Sequence, residues 1–250
     1  MFVSGLILIL LFNFFVPYLF HILCRYKNKR LLGSERALLV IAHPDDEVMF
    51  FGPTILGLQQ RGVQLKILCL SRGDFYGQGE RREKEMINSC VRLGIKRENV
   101  TVINDDNLPD NPKIKWPSDK ISTYVHAEIL QYTPDIVITF DDHGVSGHSN
   151  HGDVSKGIRN LLRVHQKNLK DIKFYELEST SVFNKYTGGL TIFWSYLLND
   201  VIFVSTASLL IKTMRAFLCH QSQLFWFRFL YFAFSRFTLV NTLIPVQTEA

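Results

Sequence analysis

The four cysteines, Cys24, Cys69, Cys90 and Cys219, are widely spaced and include no CxxC pair. That argues against a disulfide framework and a thiolate zinc site, and it suits a reducing compartment. Cys69 lies within an apolar run, where an inert core thiol belongs. Charge is missing from residues 2–23, FVSGLILILLFNFFVPYLFHIL, which hold no Asp, Glu, Lys or Arg. Acid is missing near the other end, with no Asp or Glu between Asp200 and Glu249. The central region also lacks a basic stripe or nucleic-acid motif, so no nucleic-acid partner is expected. The net charge of +5 fits an anionic membrane surface or a phosphorylated substrate instead.

The 250 residues, 47% hydrophobic and 20% charged, are enough for one full core and exclude disorder as the default. Many of the 20 phenylalanines sit at the two ends, which turns both ends toward lipid. At a rise of ~1.5 Å per residue, a helix over 2–23 reaches roughly 33 Å, enough for a bilayer core. A cleaved signal peptide is the rival reading, but no basic segment precedes the run and no small-x-small site follows it. Arg25, Lys27, Lys29, Arg30 and Arg36 come next, so the positive-inside rule places the bulk of the chain in the cytoplasm. The expected layout is a transmembrane anchor over 1–24, a catalytic α/β domain over 36–185, and an aromatic-rich, basic, membrane-associated region over 186–250. In that last region Phe217–Phe237 holds nine aromatics with Arg228 and Arg236 among them. An interfacial helix fits this composition, with a second span or a buried helical hairpin as alternatives.

Between the ends, strand and helix alternate. Ala37–Ala42 (ALLVIA) is a continuous apolar run, as in a central parallel strand covered on both faces. Further strands are expected at Leu65–Leu70, Val100–Ile103, Asp135–Phe140 and Lys173–Leu177. Helices are expected from Gly52 to about Arg61, over Glu80–Leu93 closed by Gly94, and over Ile121–Gln131 and Asp153–Val164. This pattern predicts a doubly wound, mostly parallel α/β sheet, Rossmann-like, with ligands bound beyond the carboxyl ends of the strands.

Two constellations fall at such ends. His43-Pro44-Asp45-Asp46-Glu47 follows the first strand, and three successive acids there repel one another unless a cation offsets them. Imidazole and carboxylate both ligate zinc or a similar divalent ion. The spacing lets His43 and Asp46 reach one ion while Asp45 stays free; the plain alternative is acids decorating a helix start. Asp141-Asp142-His143-Gly144-Val145-Ser146-Gly147-His148-Ser149-Asn150-His151 follows the fourth strand. In strand order 3-2-1-4-5 the first and fourth strands are neighbours, so both constellations would face one crevice. Two readings stay open for Asp141 and Asp142, acceptors that orient a ligand histidine or a solvated strand end. Glu47 likewise either supports Arg82 or a histidine, or only begins a helix. His126, His165 and His220 fall outside the motifs and read as surface or core residues.

VIAHPDDEVMFF and TFDDHGVSGHSNH together resemble the LmbE/PIG-L family of metal-dependent sugar de-N-acetylases over roughly residues 36–180. SRGDFYGQG, followed by Arg82, Glu85 and Gly94, adds to the likeness. The amino-terminal apolar run and SQxxWFRxxYxxFSR, Ser222 to Arg236, point to the eukaryotic glycolipid branch. The resemblance implies that His43, Asp46 and His151 are metal ligands. It implies that Asp45 is the general base, that His148 stabilises transition-state charge, and that Arg82 lies near the substrate. Asp74 is a further substrate-binding candidate, able to touch sugar hydroxyls. The implied cofactor is a divalent metal ion, zinc by ligand type. The implied substrate is N-acetylglucosaminyl-phosphatidylinositol in the endoplasmic reticulum membrane, deacetylated from the cytoplasmic side. Many soluble bacterial members of the family have His-Pro-Asp-His where this chain has His148-Ser149-Asn150-His151, which leaves no acid at position 150. A non-enzymatic glycolipid-binding subunit and a metal phosphoesterase are the competing readings of the same residues.

Overall fold

The computed structural model describes residues 2–28, 31, 33–181, 184 and 192–247, with side chains from residue 15 onward except that of residue 146. Strands β1 (Arg36–Ile41), β2 (Gln64–Cys69), β3 (Val100–Val102), β4 (Ile136–Phe140) and β5 (Lys173–Leu177) run parallel in the order β3-β2-β1-β4-β5. The first and fourth strands are therefore neighbours, with Leu39 in register with Ile138.

Alternation along β1 divides its side chains between two cores. Ala37, Leu39 and Ile41 face the layer holding α3 (Gly52–Gln59) and α4 (Gly79–Leu93). Leu38, Val40 and Ala42 face the layer holding α5 (Ser118–Tyr132) and the helix over Ser149–His165. A strand buried on both faces must be apolar at every position, which is why the sequence shows a run rather than an alternation. Gly94 ends α4 with φ of 100°, as a glycine after a helix does. A short helix α2 (Asp46–Met49) follows β1, and a single turn α6 (Gly144–Gly147) joins β4 to α7 (Ser149–His165).

The sheet continues where helices, membrane-associated or packed as a buried hairpin, were expected. β6 (Val201–Val204) and β7 (Val240–Pro245) add antiparallel strands in the order β5-β7-β6. Between residues 190 and 240 lie α8 (Ile192–Leu198), α9 (Ala207–Phe217) and α10 (Trp226–Phe234), with α11 (Arg236–Leu239) leading into β7. Thr206 and Ser235 cap α9 and α11 with their hydroxyls. The carboxyl-terminal region is thus part of the α/β sheet, not only an appendage to it.

Helix α1 (Phe2–Lys27) has 26 residues, or ~39 Å. Among the described residues no helix is long and apolar enough to cross a membrane. Of the expected span over 2–23, the side chains of residues 2–14 lie outside the described residues. The last turns of α1 pack on β6, where Cys24 joins Ile192, Ile202, Val204 and Val240 in a small core. His21 Nδ1 donates to the Val204 carbonyl at 2.6 Å. The Asn28 amide donates to Ile202 O at 2.8 Å and accepts from Ile202 N at 2.9 Å. One side chain thereby takes the place of a neighbouring strand at the sheet edge.

Candidate metal centre and active site

The turn after β1 is built around Asp46. Its Oδ2 accepts the backbone N–H groups of Ala42 and His43 at 3.1 and 2.8 Å, folding the chain back over the strand end. Asp45 is forced to φ of 115°, a left-handed conformation that costs a non-glycine residue ~1–3 kcal/mol. Glu47 holds this arrangement, its Oε2 accepting the Asp45 N–H at 3.0 Å. Its Oε1 accepts from Ser89 Oγ at 2.7 Å and from His220 Nε2 at 2.6 Å. Of the readings open for Glu47, the structure selects support of a histidine, and that histidine is His220.

The second loop converges on the same point. Asp141 Oδ1 accepts Gly144 N at 3.0 Å and Ser179 Oγ at 2.6 Å, while Oδ2 accepts Ser179 N at 2.6 Å. This fixes the Gly144 carbonyl, to which His151 Nδ1 donates at 3.0 Å. His151 therefore turns Nε2 toward Asp46 Oδ1, 3.2 Å away. Gly144 sits at φ +63°, and a Cβ there would lie 2.8 Å from that of His151, so only glycine permits the approach. Asp141 orients His151 through a backbone carbonyl and not directly. Asp142 is exposed and pairs with His143.

His43, His148 and His151 come together, each with a ring nitrogen within 4.8 Å of the others, and Asp46 lies beside His43 and His151. The His43 ring stands 4.7 Å from that of His148 and 5.5 Å from that of His151. His43 Nε2 faces Asn150 Oδ1 and Asp110 Oδ1, each at 3.3 Å. Asn150 thus contacts His43 without adding charge beside the cluster.

Electrostatics divide the cluster. Burial raises the Asp46 carboxyl, but the His151 and His43 imidazoles outweigh it and hold the group below the usual carboxylate range. Burial lowers His151, but Asp46 outweighs it, and the imidazole ends above its ordinary value. Burial dominates at His43 and lowers it despite Asp46 and Asp110. His148 falls to about 4, through burial and then through His43 and His151. At neutral pH it is therefore an imidazole rather than an imidazolium, and a cation nearby would lower it further. Its buried Nδ1 has no hydrogen-bond partner among the described residues. Closely packed imidazoles, an orphaned ring nitrogen and a buried carboxylate form a donor set that fits a divalent metal.

These groups line a cavity of about 610 Å³ that also holds Asp45, Arg82 and Asp110. Arg82 is a clamp. Nη1 donates to Gly73 O and Asp110 Oδ2 and Nη2 to Pro44 O, all at 2.8 Å, joining three loops at the rim. Asp74 is the one expected site residue outside the cavity, its Oδ1 accepting Gly79 N at 2.6 Å where α4 begins. Its neighbours Phe75 and Tyr76 line the cavity instead.

Sequence reasoning assigned no role to several contributors. Arg228 on α10 donates to Asp45 Oδ2 and, at 3.1 Å, to Gln223 Oε1. Tyr231 donates to the Met49 carbonyl at 3.0 Å, and Ser222 binds Glu85. Ser222, Gln223, Arg228 and Tyr231 all belong to SQxxWFRxxYxxFSR, so the signal was in the pattern. Asp110 carried no signal beyond its charge.

Residues 38–162 match the family PIG-L, GlcNAc-PI de-N-acetylase. Over 212 residues the chain is 43% identical to the N-acetylglucosaminyl-phosphatidylinositol de-N-acetylase of Bos taurus, covering 84% of this chain and 83% of that protein. Over 250 residues it is 35% identical to the probable enzyme of the same description from Dictyostelium discoideum, covering 88% and 97%. Its fold is similar to N,N'-diacetylchitobiose deacetylase from Pyrococcus horikoshii, at TM-score 0.63, 16% identity, and coverage of 86% and 85%. It is also similar to the zinc-inhibited form of teicoplanin deacetylase, at TM-score 0.59, 14% identity, and coverage of 86% and 98%. The mostly parallel α/β fold is shared with these deacetylases, and the chain belongs to the PIG-L family.

Proposed function

We propose that this chain hydrolyses the N-acetyl group of N-acetylglucosaminyl-phosphatidylinositol, releasing acetate and glucosaminyl-phosphatidylinositol in glycosylphosphatidylinositol anchor synthesis. The observation that carries the reading is the meeting of His43, Asp46, His148 and His151 with Asp45 in one cavity. The names of the relatives supply the substrate.

His43, Asp46 and His151 would hold the metal, with zinc favoured by ligand type. Such an ion, when bound, lowers the pKa of water and polarises a carbonyl. Asp45 accepts the water proton as oxygen adds to the acetamide carbon. Neutral His148 donates an N–H to the developing oxyanion. The C–N bond then breaks, and the proton passes to the leaving amine. Arg228 and Arg82 keep Asp45 at the cavity wall through its Oδ2.

The reading places the protein in the endoplasmic reticulum membrane, with α1 as its anchor and the cavity facing the cytoplasm. Supporting this are the uncharged run over 2–23, the basic residues after it, and exposed Trp194 and Trp226 on α8 and α10. The test is acetate release from the glycolipid by purified protein, with and without chelator. Release of phosphate instead of acetate would overturn it.

A further inference from the structure

Two cavities meet on α10. The catalytic one is adjoined by a groove of about 450 Å³ lined by Phe227, Leu230, Tyr231 and Phe234, and the two share Phe227 and Tyr231. No charged side chain lines the groove. The Tyr231 hydroxyl is turned away to the Met49 carbonyl. Leu230 and Phe234 are 49% and 58% exposed, although neither is needed to close a core. Arg228, next to Phe227 in the sequence, places its guanidinium at Asp45 within the catalytic cavity. A polar cavity that holds a cation thus adjoins an apolar trough on one helix.

We propose that this trough is the seat of the substrate's own acyl chains, with their phosphodiester lying at the seam beside Arg228. The inference rests on the glycolipid reading and adds where the lipid half of the substrate goes. In the sugar–inositol–phosphodiester–diacylglycerol a polar headgroup adjoins acyl chains, as the polar cavity adjoins the trough on the protein. The Arg228 cation in that cavity complements the phosphodiester anion. Continuity through Phe227 and Tyr231 makes one path for one molecule. Each methylene moved from water into the trough strengthens binding by about fourfold. The protein would thereby prefer the lipid-linked sugar to the free headgroup.

The test uses the full chain held in an amphipathic polymer and four substrates kept below their micelle-forming concentrations. These are N-acetylglucosaminyl-phosphatidylinositols with two four-, six- or eight-carbon chains, and the chain-free glycerophosphoinositol headgroup. For the unaltered protein, kcat/KM for acetate release rises with chain length, through KM. In a Leu230→Ala, Phe234→Ala double variant the eight-carbon advantage falls by about tenfold or more, while the chain-free headgroup reacts within about twofold of the unaltered rate. Leu230→Ile with Phe234→Leu restores the advantage. Parallel loss on all four substrates, or a chain-length rise retained in the alanine variant, overturns the proposal. So does a defect seen only when the substrate is presented in vesicles, which would make the trough a bilayer contact. Unaltered protein that acts equally on all four overturns the trough and leaves the deacetylase reading standing. Acetate released from none of them overturns the deacetylase reading itself.

Discussion

His220 Nε2 lies 2.6 Å from Glu47 Oε1 with both side chains wholly shut off from solvent. The pair sits directly beneath the catalytic turn, because the other Glu47 oxygen holds the Asp45 N–H. Burial alone would lower the His220 imidazole; Glu47 outweighs it, and the group titrates above its ordinary value of 6.5. The folded state therefore binds this proton more tightly than the unfolded chain does. That stabilisation is fully present below about 6.5 and is lost as pH rises through the higher folded-state value.

Comparing denaturant unfolding of the native protein with His220→Gln should expose this. As pH rises above 6.5 the native protein should lose this part of its advantage over the variant, by at most ~1.4 kcal/mol per pH unit. At the acid end, removing one partner of a buried pair should cost ~3–5 kcal/mol. A stability difference that stays flat across the range would show the pair to be electrically silent.

Asp45→Asn and His151→Ala should fail for different reasons. The first removes a proton acceptor, so acetate release should fall ~10²–10⁴-fold while bound metal, measured by elemental analysis, stays stoichiometric. The second removes a donor to the ion, so metal and activity should disappear together. Equal metal loss in both would remove Asp45 from the role of base.

Asp141 touches no histidine, yet Asp141→Ala should weaken metal binding. It releases Gly144 N and Ser179, and with them the carbonyl that orients His151. Loss of such outer support typically lowers metal affinity or activity ~10–100-fold. Competition titration with a chromophoric chelator would measure it.

Gly144→Ala probes the same hinge by crowding rather than by loosening. The added methyl would meet His151 Cβ at 2.8 Å on a backbone with φ of +63°. We expect a stability loss of ~1–3 kcal/mol by thermal or urea unfolding, and reduced metal uptake. A fully stable variant with native uptake would mean that the loop yields without disturbing His151.

What could be read from the sequence was whatever is written locally. ALLVIA and DIVITF announce buried strands, and the neighbouring order of β1 and β4 brings His43 and His151 together. The carboxyl-terminal strands were hidden because VIFV is only four residues long and sits among helices dense in phenylalanine. β7 hid itself differently, with Asn241 and Thr242 buried in its middle. That pairing is tolerable only because Asn241 bonds Thr54 and the Phe50 carbonyl, contacts with no trace in local periodicity. Arg228 was seen as one basic residue among aromatics; its partner Asp45 is 183 positions away. His220 was set aside for the same reason, since a histidine outside any motif reveals its purpose only through what is folded against it.

The Asn28 amide has a practical consequence for anyone who trims the amino terminus to obtain a water-soluble enzyme. A cut that removes residues 1–35 also strips the outer side of β6, leaving its backbone polar groups open to a strand from another molecule. Such a truncate is expected to self-associate even if its cavity forms correctly. A cut placed before His21 would keep that edge closed.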